Sequence, residues 1–220
     1  MDPSILVPGK YWTLTANGST PALGFQDVAV GLARLSTFTT LSAVDKAMAN
    51  QRDQPLKGDD FKCLVAARNV AKHKVLSLPL WEELSETEKC GGNETLYECC
   101  RLAAILYANA VVFPTLEDFP GIRKPVRLLK ELLDQESDEP QVTGVEYNAM
   151  LWAVCVGGIG AYQTEHWHFF VSTLRSYVGG LAITSFEGLK SVLRDFVWSD
   201  RACDGGLAVI WAAAQSLTRD

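Results

Sequence analysis

The stretch TGVEYNAMLWAVCVGGIGAYQTEHWHFF, from Thr143 to Phe170, constrains the fold more than any other part of this sequence. Thr143 and Glu146 stand in the capping-box relation, hydroxyl to a third-residue amide and carboxylate back to the cap amide, so a helix is expected to start near Gly144. From Val145 onward apolar residues recur at 149, 152, 156 and 159, while Met150, Leu151, Val154, Cys155 and Tyr162 fill the remaining faces. A helix that is apolar all round is buried among neighbours. Gly157, Gly158 and Gly160 each cost about 1 kcal/mol relative to Ala inside a helix. Close approach of another backbone, or a helix end, has to offset that cost. On either reading the segment, about residues 144–162, is the element around which the others pack.

The remaining pattern is helical almost throughout. Residues 1–22 hold three prolines and two glycines and read as an extended arm that can anchor Tyr11 and Trp12. From Leu23 to Asn50 apolar residues step by three or four, which is a helical period. After a loop to Gly58, Asp59 or Asp60 is placed to cap a helix carrying Phe61, Leu64, Val65, Val70 and Val75 that ends before Pro79. Residues 79–84 form a helical turn, and Asn93 caps a helix from Glu94 to Phe113 that Pro114 stops. TLEDFPGIRKP reads as an irregular connector, followed by an amphipathic helix from Val126 to Leu133 and an acidic loop around Asp134 to Pro140. Gln163-Thr164 can start the next helix, which ends at Gly179-Gly180. Thr184 with Glu187 makes a second capping box for a helix running through Phe196 to Trp198, and Ser199 or Asp200 caps the last helix, to about Leu217. No stretch alternates as a strand does. The expectation is an all-α, single-domain helical bundle over residues 23–220, with about eight or nine helices around the central buried one.

Composition narrows the function classes. With 48% apolar residues the chain can bury a substantial core. The formal net charge is −6 and no Lys/Arg run exceeds two residues, which argues against direct nucleic-acid binding. Six cysteines, at 63, 90, 99, 100, 155 and 203, include no CxxC pair and no zinc-cluster spacing. Most sit in apolar helical contexts, so a reducing compartment, nucleus or cytoplasm, is expected. The sequence has neither the pattern of a secretory leader nor an apolar run long enough to span a membrane.

Four blocks carry a resemblance. YECCRLAAILYANAVVFP, MLWAVCVGGIGA, HWHFFVSTL and LKSVLRDFVWSDRACDGGLAVIW, spanning about Glu94 to Trp211, resemble in order the fungal-specific transcription factor domain, the helical regulatory region that usually follows a six-cysteine binuclear zinc cluster. The resemblance implies an all-helical regulatory domain, here without that zinc cluster. Such a domain would act by sensing a small apolar metabolite, by binding a protein partner, or as a homodimer.

Side chains with chemical potential are few. Glu165 and His168 would share a helix face, as in carboxylate-bridged di-metal bundles, but no second Glu-x-x-His accompanies them, so no metal is expected. No phosphate-cradling glycine loop or GxSxG motif is present, and no cofactor is expected. Arg101, Tyr107, Trp152, Tyr162, Trp167, His168 and Trp198 fall on helices expected to pack together and are candidates for the wall of an apolar ligand cavity; filled core is the competing reading. A different class of function, an enzyme of secondary metabolism that cyclises, isomerises or dehydrates an apolar metabolite, would draw on His168, Tyr107, Asp118 and Arg101.

Overall fold

The computed structural model describes residues 58–89, 92–109, 120–135 and 144–217, and among them every regular element is helical. In chain order these are α1 (Asp59–Leu76), a 3-10 turn (Trp81–Glu83), the single turn α2 (Glu86–Lys89), α3 (Glu94–Tyr107), α4 (Pro120–Gln135), α5 (Val145–Gly160), α6 (Trp167–Gly180), α7 (Phe186–Arg194) and α8 (Asp200–Ser216). The all-α class and the buried central helix agree with the sequence reading. The expected arm over residues 1–22, the helix over 23–50 and Asp118 lie outside the described residues.

Helix α5 is the centre. All residues from Ala149 to Gly158 are buried, and α3, α4, α6, α7 and α8 pack around it, while α1 leans on α3. The glycines explain how five helices fit against one. A Cβ on Gly157 would strike the Phe170 ring of α6 and come within 2.8 Å of Leu129 Cδ2 on α4. At Gly158 a Cβ would meet Ile210 of α8, and at Gly160 it would sit 3.2 Å from Val126 and 3.4 Å from Leu106. The relation is reciprocal, because a Cβ on Gly206 of α8 would lie 2.9 Å from Ile159 of α5. Of the two expected compensations, Gly160 meets the second, as the last residue of α5, while at Gly157 and Gly158 the cost is offset by neighbouring side chains seated against the α5 backbone and not by a second backbone.

The ends of the helices depart from the expected boundaries for local reasons. Asn93 Oδ1 accepts the Leu96 amide at 2.9 Å and Ser199 Oγ accepts that of Ala202 at 3.4 Å, as their positions implied. The cap of α7 is Ser185, not Thr184: its Oγ accepts the Gly188 amide at 3.0 Å, and Glu187 reaches Lys190 instead of the cap. With this start Leu189 and Leu193 are fully buried. Asp59 is the first residue of α1 and pairs with Lys62 at 3.0 Å, while Gly58, at φ 59°, occupies the cap position. Gly144, at φ 61°, does the same for α5.

Two segments are corrected more broadly. The connector before α4 is helical from Pro120, with Pro125 inside the helix. Proline at the first position sacrifices no bond, and Pro125 forgoes one. The buried row Val126, Leu129 and Leu133, extended by the partly buried Ile122, holds the turn in place. The helix expected to run through Phe196 to Trp198 stops at Arg194, which frees the Val197 carbonyl for a tertiary partner described below. The helix from Glu94 is α-helical to Tyr107 and widens to a π turn at Ala108 and Asn109, and its expected end at Phe113 lies outside the described residues. At the end of α6 the amide of Ile183 donates to the Val178 carbonyl and that of Ala182 to Gly179, a Schellman motif whose left-handed residue is Ala182, at φ 52°, where glycine is usual.

Because Gly157 has no free volume and Gly179 has open space at its Cβ position, the same exchange should act in opposite senses. Gly157→Ala is expected to destabilise the fold by about 1–3 kcal/mol through overpacking. Gly179→Ala is expected to stabilise it by about 0.5–1 kcal/mol through reduced unfolded-state entropy. Urea midpoints at unchanged m-value measure both.

Candidate functional site

Two of the seven residues nominated for a ligand wall meet in the core. Tyr107 of α3 and Trp152 of α5 are buried with ring centroids 6.4 Å apart, and Trp152 stacks at the same distance on Phe196, just after α7. The Trp152 indole N–H donates to the Val197 carbonyl at 2.9 Å. Ring packing and one buried hydrogen bond fix the indole between α3 and the turn after α7.

Three others form the corner between α5 and α6. Tyr162 is 50% exposed and meets Trp167 edge to face at 5.4 Å; His168, in the first turn of α6, is exposed. Gln163 carries a left-handed φ of 60°, and the turn is closed by Thr164, whose hydroxyl donates to the Ala161 carbonyl at 2.7 Å and accepts the His166 amide at 3.3 Å. This turn corrects the expected helix start at Gln163-Thr164, since α6 begins only at Trp167. Glu165 therefore precedes the helix, so the shared face with His168 is lost, and its carboxylate lies 3.6 Å from His166 Nε2. Among the described residues no group of three or more His, Cys, Asp or Glu side chains could hold a metal ion.

Arg101 and Trp198 each have a partner of their own. Arg101 Nη2 lies 2.7 Å from Glu98 Oε2, both side chains being largely buried, and Glu98 Oε1 accepts the Trp81 amide at 2.8 Å. Tyr97 adds a bond from its hydroxyl to the Pro79 carbonyl at 2.9 Å. Together they hold the segment before α2 against α3. The Trp198 indole N–H donates to Asp204 Oδ1 at 3.2 Å.

That bond leads to the polar centre the sequence reading passed over. Lys190 of α7 is only 7% exposed; its ammonium lies 2.6 Å from Asp204, 3.6 Å from Asp200 and 3.7 Å from Glu187, with the Phe186 ring centroid at 5.7 Å. Arg194 grips Asp200 with two guanidinium nitrogens, Nε at 3.2 Å. Asp200 is thus shared between Arg194 and Lys190, and Asp204 belongs to Lys190, a residue for which the sequence reading proposed no role. Its signal was Glu187 three residues before it and Arg194 four after it, a charged row on α7 opposite the i, i+4 pair Asp200 and Asp204 on α8.

The electrostatics mark a structural clasp. The bond to Asp204, first, and the further carboxylates hold the Lys190 ammonium above its ordinary range, so it stays charged and is no nucleophile at neutral pH. The Arg194 hydrogen bond, first, keeps the Asp200 carboxyl below its usual 3.8. Burial pushes the Cys100 thiol up to about 12 and raises that of Cys155 as well, which leaves both inert at neutral pH.

The pH dependence follows from these directions. A carboxyl with a lowered folded pKa contributes stability that is complete above about pH 4 and is lost as the pH falls through the folded value. The raised ammonium contributes stability that is complete below 10.5 and is lost as the pH rises through its folded value. Asp200→Asn should therefore lower stability at neutral pH and flatten the acid limb, while Lys190→Met flattens the alkaline limb. Denaturant midpoints across pH test this; limbs parallel to wild type in both variants would refute the clasp.

A family model described as the fungal specific transcription factor domain matches residues 66–217, more than half of the 220-residue chain. Comparison with curated proteins and with solved structures gives no match. Among the described residues no helix is long and apolar enough to cross a membrane. The matched region takes in α5 with its glycines, the α5–α6 corner and the clasp of α7 on α8, and on this match the chain belongs to the fungal-specific transcription factor domain family.

Proposed function

We propose that this chain is a regulatory module that works by binding a protein partner, with the corner between α5 and α6 as the contact surface. The observation that carries the reading is the position of Tyr162 and His168, both exposed beside the half-buried Trp167 within one seven-residue span. Aromatic side chains that keep one edge wet are favoured contact residues, because they bury a large area at low entropic cost. Tyr107 and Trp152, by contrast, already spend their surface on each other and on Phe196. That packing supports a surface mechanism over a ligand enclosed by these rings. The formal charge of −6 favours a protein over a nucleic acid as the partner. In this reading the domain modulates transcription through what it recruits or restrains, and any sensing of a metabolite is secondary to that contact.

The enzymatic alternative requires His168, Tyr107, Asp118 and Arg101 to act on one substrate. Tyr107 is buried in the core, His168 faces solvent and Arg101 is tied to Glu98, which supports binding over catalysis.

A tethering experiment tests the proposal. The full chain is fused to a heterologous DNA-binding module, and reporter output is compared with that of the module alone. The wild-type fusion should shift output several-fold, and a Tyr162→Ala, His168→Ala double variant of unchanged circular dichroism and melting temperature should return it to baseline. Output equal to the module alone, from a fusion that accumulates and folds, would overturn the regulatory reading. A shift that survives the double variant would overturn the assignment of the corner. Native mass spectrometry of protein from its own source separates the sensing arm: a retained small molecule would transfer the proposal from partner contact to ligand control.

A further inference from the structure

We draw no further inference here: the strongest candidate, the outward face of α8 formed by Ala202, Gly205, Val209 and Ala212, is a small-residue stripe open to solvent, and nothing in the structure shows what covers it.

Discussion

Close contact between side chains and a bare helix backbone is the constraint on which the rest of this molecule depends. Phe170, Leu129 and Ile210 come from three different helices, and each occupies space that a Cβ on Gly157 or Gly158 would need. Dispersion falls steeply with separation, so a fraction of an ångström at each contact forfeits a sizeable share of its attraction. With glycine at these positions five helices can share one axis and leave Ala149 to Gly158 buried. The intrinsic weakness of glycine in a helix is tolerable because this helix is held from outside. Its stability is tertiary in origin.

Charge is used sparingly and at the margins of this core. The Lys190 ammonium lies among three carboxylates beside the Phe186 ring, and Arg194 secures one of them from the other side. A largely buried ammonium without such partners would carry a desolvation penalty of several kcal/mol. With them it fixes which face of α7 meets α8. The Glu98–Arg101 pair has a similar role further out, since Glu98 also accepts the Trp81 amide and so sets where the chain turns before α2. Exposed pairs such as Arg127–Glu131 have no comparable consequence.

Much of this architecture was legible in the sequence, because the strongest signals were local. Asn93 and Ser199 have only to bond amides three residues ahead, and the all-round apolar pattern of α5 has no reading except burial. Some misplaced boundaries, such as the Ser185 cap of α7 and the Thr164 turn before α6, were local choices between neighbouring residues, but the larger departures were decided by distant partners. Pro120 and Pro125 argued for a break, yet Val126, Leu129 and Leu133 enforce a helix through both by burial. The stop of α7 at Arg194 goes with a carbonyl that serves Trp152, 45 residues away in sequence, and no local propensity encodes that bond. For the candidate site, the sequence placed Tyr107, Trp152, Tyr162 and Trp167 on helices expected to pack together, but periodicity alone could not say that Tyr107 meets Trp152 in the core while Tyr162 meets Trp167 at the surface. Lys190 went unread because a lone lysine on a predicted helix normally faces water, and only the packing of α7 against α8 removes it from there.

The reciprocal fit of α5 and α8 also bears on motion. Ile210 of α8 sits at Gly158 of α5, and Ile159 of α5 sits at Gly206 of α8, so the two helices are keyed at two points of opposite sense. Sliding one helix past the other by a turn, about 5.4 Å, would withdraw both isoleucines and drive them into residues that carry side chains. A one-turn shear of this pair is therefore opposed at both points. The bond from Arg175 to the carbonyl of Leu217, the residue that caps α8, adds a third tie, between the end of α8 and α6, so the last helix is fixed both along its length and at its end.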